Sequence, residues 1–284
     1  MNKLNLKIEI DKNSGFCSGV TNAINKAENV LHQNHELYCL GELVHNEEEL
    51  GRLQKQGLKI IDNDELKKIK NTNLLFRAHG EPPESYKLAK KNNNEIIDTT
   101  CPIIIKIQKL VKEAHKNKEN IFIYGKHNHP EIIGLTGQID NNATVFEDIN
   151  ELNKIGKLPQ ELTLFSQTTK DVICYYEIVD FLKSKGIKLK VHNTICKKVY
   201  NRQKEIKDFA GNHDKIILIS GKNSSNGKVL FYECKQYNPD SYFISSVKEI
   251  KKTWFKKNES IGICGATSTP MWLMEDAGKY LRTF

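Results

Sequence analysis

The chain has 284 residues, with 43 Lys and Arg against 35 Asp and Glu, a formal charge of +8, and 38% hydrophobic and 27% charged residues. This balance excludes a disordered chain or a bilayer-spanning one. The positive charge is spread in lysine pairs such as Lys67-Lys68 and Lys256-Lys257 rather than gathered with arginine and aromatics, which predicts a solvated surface with no nucleic-acid or membrane partner. No stretch reads as an export signal, so a cytoplasmic location with reduced thiols is expected.

In chain order, residues 1–10 alternate polar and apolar side chains and predict a strand leading through Asp11 to Gly15-Phe16-Cys17. A helix follows, with Val20, Ile24, Ala27 and Leu31 at helical spacing, then strand patterns at 38–46 and 74–80, each running into a polar loop. The pattern restarts at Glu95-Ile96-Ile97-Asp98-Thr99-Thr100-Cys101-Pro102. Pro102 suits a first helical turn, Ile103, Ile107, Leu110 and Ala114 continue the helix, and strands are predicted at 121–131 and 162–169. It restarts again at 189–196, ending in Cys196, with a weaker stripe of Val199, Ile206 and Ala210 and strands at 216–226 and 261–270. Each third thus holds two strands beyond the one that precedes its cysteine.

None of the seven cysteines forms a Cys-x-x-Cys pair, and their odd number argues against a disulfide framework. Cys17, Cys101 and Cys196 occupy matched positions, each after a strand and at the start of a helix, where the amide dipoles favour thiolates. Three such thiolates suit three irons of a cubane cluster, with the fourth iron open to substrate. Cys39, Cys174, Cys234 and Cys264 read as ordinary buried residues. The predicted fold is therefore α/β: a trefoil of three pseudo-equivalent small parallel-sheet units around a central iron–sulfur site. The units span 12–98, 99–192 and 193–284, the third joined by the N-terminal strand 1–11. Ligands bind such sheets at the carboxyl ends of the strands, where this chain places Cys, His, Ser, Thr, Asn and Glu.

Among those strand-end groups, His45, His79 and His129 suit phosphate oxygens or a metal-bound hydroxyl, and a zinc site on the same three is a lower-ranked alternative. His32, His35, His115 and His213 read as surface or satisfied residues, and His127 and His192 stay ambiguous. The loops 221–226 and 265–270 offer amides and hydroxyls for a phosphate at a helix start. Glu131, directly after His129-Pro130, is a candidate proton donor. A helix start opposes its protonation, so burial or a relay through Thr168 has to outweigh the dipole, and an exposed helix-start carboxylate is the bland alternative.

Taken together, the chain resembles the 4-hydroxy-3-methylbut-2-enyl diphosphate reductase family nearly end to end. The resemblance is carried by Gly15-Phe16-Cys17-Ser18-Gly19-Val20, Leu43-Val44-His45-Asn46, Arg77-Ala78-His79-Gly80, Asp98-Thr99-Thr100-Cys101-Pro102 and His129-Pro130-Glu131. It continues through Ser166-Gln167-Thr168-Thr169, Asn193-Thr194-Ile195-Cys196, Asn201-Arg202-Gln203, Asn223-Ser224-Ser225-Asn226 and Ala266-Thr267-Ser268-Thr269-Pro270. It implies one [4Fe-4S] cluster on Cys17, Cys101 and Cys196, and a small allylic diphosphate held by His45, His79, His129, Ser224, Ser225, Asn226 and Ser268. It places Thr168 and Glu131 at the hydroxyl end. It implies reductive dehydration to isopentenyl and dimethylallyl diphosphates, with electrons from a ferredoxin or flavodoxin. Three departures stand out: Ser14 where the family often has Arg, Asn193 for the usual Asp, and a Gly-Ala-Thr-Ser-Thr-Pro loop one residue longer than the commoner form, which makes Thr267 the alternative to Ser268. The competing class is a non-catalytic iron–sulfur or thiol redox sensor.

Overall fold

In the computed structural model, which describes residues 3–284, strands and helices alternate throughout. The first part of the chain forms β1 (Lys7–Ile10), α1 (Ser18–Asn34), β2 (Leu37–Leu40), α2 (Glu47–Lys55), β3 (Leu58–Ile61), α3 (Asn63–Leu66), β4 (Asn73–Phe76), α4 (Pro83–Lys91) and β5 (Glu95–Asp98). Next come α5 (Pro102–Lys116), β6 (Ile121–Tyr124), α6 (Pro130–Thr136), β7 (Thr144–Phe146), α7 (Ile149–Lys154), β8 (Glu161–Ser166), α8 (Val172–Ser184) and β9 (Lys188–Val191). The last part forms α9 (Lys197–Gly211), β10 (Lys215–Ile219), α10 (Ser225–Tyr237), β11 (Ser241–Ile244), β12 (Ser260–Gly265) and α11 (Met271–Leu281). The strand predicted at 1–10 forms over Lys7–Ile10; Met1 and Asn2 lie outside the described residues.

Three parallel-sheet α/β units result. Their sheets have the orders β3-β2-β4-β5, β7-β6-β8-β9 and β11-β10-β12-β1, with every pair parallel. Parallel pairing requires crossovers, which the helices supply. The inner strands β6 (IFIY) and β10 (KIILI) are buried along their whole length, the continuous apolar pattern of sheets covered on both faces. β3, β7 and β11 are additions to the predicted strands. Each has only three or four residues at a sheet edge, too short to stand out from its polar surroundings. At the opposite edges, β1, β5 and β9 expose Glu9, Glu95 and Lys190, charges that discourage further strand pairing.

The chain packs as two compact bodies. The terminal body comprises Met1–Thr21, Val44–Gly57 and Lys197–Phe284; the central body comprises Asn22–Leu43 and Leu58–Cys196. In the terminal body Ile217, Ile219, Ile263, Leu273 and Met274 pack in one cluster, joining β10 and β12 to α11. In the central body Ile107, Val111, Ile123, Ile132, Leu135 and Phe165 join α5 and α6 to β6 and β8. Ile132 and Leu135, both fully buried, fix α6 on its sheet at about 1.5–3 kcal/mol each, directly after Glu131 in sequence. No described helix is long and apolar enough to cross a membrane.

Candidate functional site

Each of the three singled-out cysteines closes a loop that leaves an outer strand and crosses to the end of the neighbouring one. Cys17 N–H donates to Thr267 O (3.1 Å) beyond β12, Cys101 N–H to Ala78 O (3.0 Å) beyond β4, and Cys196 N–H to Thr168 O (3.0 Å) beyond β8. A side-chain oxygen opens each loop by accepting a backbone N–H two residues on: Asp11 from Asn13 (3.0 Å), Asp98 from Thr100 (2.8 Å) and Asn193 from Ile195 (3.1 Å). Asn193 therefore performs the same turn as the two aspartates, because only the acceptor oxygen is needed. A hydroxyl then ties each loop to the neighbouring strand end. Thr99 Oγ1 donates to Phe76 O (2.6 Å), Thr194 Oγ1 bridges Ser166 N and O, and Ser14 Oγ accepts from Gly265 N (2.9 Å). Gly15 has φ +112°, a conformation open to glycine, which accounts for the Gly-Phe-Cys run.

All three cysteines are half-buried and outside any disulfide, and α1, α5 and α9 begin at the residue after each. The other four differ. Cys39, Cys234 and Cys264 are buried, and burial pushes the Cys39 thiol up to about 12. Cys174 corrects the expectation of a buried residue: it is exposed in the first turn of α8, with its thiol raised to about 11 by partial burial and by Asp171.

The central body builds an acid. Glu131 is 1% exposed. Its Oε1 accepts from Thr168 N (2.7 Å) and its Oε2 from Thr168 Oγ1 (2.6 Å). Pro130 opens α6, and His129 caps it by accepting Glu131 N–H on Nδ1 (3.2 Å). Burial pushes the Glu131 carboxyl up to about 7 against the lowering pull of both Thr168 bonds. This resolves the tension at a helix start. Loss of hydration outweighs the hydrogen bonds, and α6 is only seven residues long. His79 and His129 meet edge to face with ring centroids 5.4 Å apart. They are brought close because Gly134 sits against the backbone of the 79–80 turn, where a Cβ would lie 2.4 Å from Gly80 O.

The terminal body builds a polar cradle. β10 and β12 pair in register up to Ile219 and Gly265, so the loops that follow them start side by side. Ser224 caps α10 by accepting Gly227 N–H on Oγ (3.1 Å), and it also lies 3.1 Å from Ser268 Oγ. Asn226 Nδ2 donates to Thr267 Oγ1 (3.1 Å). Ser225 is the first residue of α10, and Ser224, Asn226 and Ser268 are buried. His45 joins this body: a Cβ at Gly221 would lie 2.1 Å from His45 O, so the two backbones touch. Free amides at the start of a thirteen-residue helix, ringed by hydroxyls, suit an anion.

One buried network escaped the sequence reading. Arg202 of α9 donates to Asp11 Oδ2 and to Ser14 Oγ (2.9 Å), while Ser14 donates to Asp11 (3.1 Å), which pins the loop that carries Cys17. The available signal was position. Arg202 falls on the apolar stripe Val199–Ile206–Ala210 of α9, where a charge needs a partner. Among the histidines left ambiguous, His127 bonds Glu151 (2.5 Å) and His192 stacks on Phe165, so both have structural roles.

A parallel α/β enzyme is what this fold and these strand-end groups define. The family model described as LytB protein matches residues 8–282. A 4-hydroxy-3-methylbut-2-enyl diphosphate reductase of Bacteroides fragilis is 45% identical over 284 residues, covering 98% of each chain. A reductase of the same name from Bacteroides thetaiotaomicron is 47% identical over 277 residues, covering 95% of this chain and 96% of the other. Among solved structures, the E-1-hydroxy-2-methyl-but-2-enyl-4-diphosphate reductase of Plasmodium falciparum superposes with a TM-score of 0.86 at 27% identity, covering 97% of this chain and 88% of that one. A second, titled (E)-4-hydroxy-3-methyl-but-2-enyl diphosphate reductase, terminal enzyme of the non-mevalonate pathway, gives 0.71 at 30% identity over 98% of this chain and all of the other. The chain belongs to the LytB family, that of the 4-hydroxy-3-methylbut-2-enyl diphosphate reductases, and is an oxidoreductase.

Proposed function

We propose that the chain reduces 4-hydroxy-3-methylbut-2-enyl diphosphate to isopentenyl and dimethylallyl diphosphates, using one [4Fe-4S] cluster held by Cys17, Cys101 and Cys196. The donor set fits that group. It consists of three soft thiols, none in a disulfide, each half-buried at a helix start in the same local setting. When bound, such a cluster supplies single electrons and one iron without a protein ligand, a Lewis acid at the substrate. Two electrons and two protons enter, the allylic C–O bond breaks, and water leaves.

The observation that carries the reading is the Glu131–Thr168 pair. A carboxyl pushed up to about 7 is about half protonated at neutral pH, and that protonated half can pass its proton through the Thr168 hydroxyl to a leaving oxygen. Ser224, Ser225, Asn226 and Ser268, with His45, His79 and His129, hold the diphosphate. The helix start and the hydroxyls orient it without adding charge, and the imidazoles offer ring N–H donors to its oxygens. A ferredoxin or flavodoxin supplies the electrons in the cytoplasm, and the three α/β units span 12–98, 99–192 and 193–284 with strand 1–11. A redox sensor would leave the buried acid and the cradle without work. The test is anaerobic purification followed by turnover with a chemical reductant. About four irons per chain and formation of both products are expected. An iron-free protein, or an iron-bearing one that consumes no substrate, sinks the proposal.

A further inference from the structure

Glu131 and Asn226 occupy the same place in their sheets. Each is the second residue of the helix that follows an inner strand, α6 after β6 and α10 after β10. Each side chain is buried and bonds a threonine hydroxyl two residues past the end of the neighbouring inner strand, Thr168 after β8 and Thr267 after β12. Each of these threonines also accepts the N–H of a cysteine on its carbonyl, Cys196 for Thr168 and Cys17 for Thr267. In the remaining sheet the corresponding carbonyl belongs to Ala78, which has no hydroxyl to offer. The Asn226 amide has one further property: its Oδ1 is buried without a hydrogen-bonding partner among the described residues.

We infer that Thr267 is a positioning residue, which sets the Asn226 amide for the diphosphate and ties it to the segment carrying Cys17. The inference rests on the diphosphate reading of the cradle. A diphosphate only accepts hydrogen bonds, so the amide must meet it with Nδ2 rather than Oδ1. A threonine hydroxyl both donates and accepts. It takes the Nδ2 bond when the cradle is empty, and it donates to Oδ1 once the amide turns its Nδ2 toward the ligand. Either way one amide atom stays engaged, and the other is completed by the anion. Serine preserves this behaviour; alanine and valine abolish it.

The experiment compares Thr267→Val, Thr267→Ala and Thr267→Ser with wild type, in the anaerobic holoenzyme. It reads substrate KM and kcat, the Kd of inorganic diphosphate by calorimetry, and the iron content. Valine and alanine are each expected to raise KM and Kd about tenfold, the size of one hydrogen bond to a charged ligand. Their kcat should stay within about twofold and their iron content at the wild-type level, because the Cys17 bond uses only the Thr267 backbone. Serine should restore both constants to within about twofold of wild type. Unchanged Kd in both the alanine and the valine variants, or a serine variant as weak as they are, overturns the inference. So does loss of iron in both, which would place the effect at Cys17. If wild type itself fails to bind diphosphate, the cradle reading falls and takes the inference with it.

Discussion

Two sheets of the chain, the one built on β6 and β8 and the one built on β10 and β12, answer one geometric slot with different chemistry. In the first, Glu131 faces Thr168 inside the central body; in the second, Asn226 faces Thr267 inside the terminal body. Both side chains are buried, both follow a capped helix start, and both lean on a hydroxyl whose backbone steadies a cysteine. They differ by a carboxyl in place of a carboxamide, and by one methylene in reach. The carboxyl can lose a proton, so burial makes it titrate near neutrality, whereas the amide stays an uncharged donor and acceptor at any pH. A repeated architecture can thus be divided into an acid and an anion holder by changing the residue type at one position.

The comparison breaks most sharply at the acid. Glu131→Gln makes the two slots chemically alike, and it is expected to lower kcat by about 10²–10⁴-fold while iron content and diphosphate Kd stay unchanged. Wild-type turnover should fall as pH rises through about 7, where Glu131 loses its proton, and the variant's residual rate should lack that step. Near wild-type kcat in the glutamine variant would remove Glu131 from the reaction. The next largest effect lies inside the terminal body. Arg202→Met leaves Asp11 buried without its cation and should cost about 3–5 kcal/mol, read as a lowered denaturation midpoint, with faster loss of iron to a chelator.

The same carboxyl also sharpens the contrast in stability. Its folded value, about 7, lies above the unfolded 4.5, so its favourable contribution is complete below pH 4.5 and is lost as pH rises through about 7. Glu131→Gln does not ionise. At pH 8 it is expected to be more stable than wild type by up to about 3 kcal/mol, with the difference vanishing below pH 4.5. Equal urea midpoints at pH 8 would mean that the charged carboxylate is not held in a desolvated site. Smallest of all should be Asn193→Asp, since Ile195 N–H needs only an acceptor there: a change within about 0.5 kcal/mol and full iron content.

Much of this was legible from residue order. Long apolar runs such as Ile216–Ile219 and Leu162–Phe165 announce buried parallel strands, and loop residues such as Ser224, Asn226 and His129 announce strand-end chemistry, because both signals are local. Short edge strands β3, β7 and β11 were not legible, since three or four residues carry too little periodicity. Cys174 read as one more interior thiol, and only its place at the exposed start of α8 separates it from Cys39 and Cys264.

Residue order by itself determined the alternation of strands and helices, the matched cysteine positions and the polar loops that end the strands, all of which depend on neighbours a few residues apart. Tertiary structure alone decided that Glu131 is shielded from water by its sheet, that Arg202 meets Asp11, and that Thr267 serves Cys17 with its carbonyl and Asn226 with its hydroxyl. Desolvation and hydrogen-bond pairing act through space between residues far apart along the chain, and only the folded sheets bring those residues together.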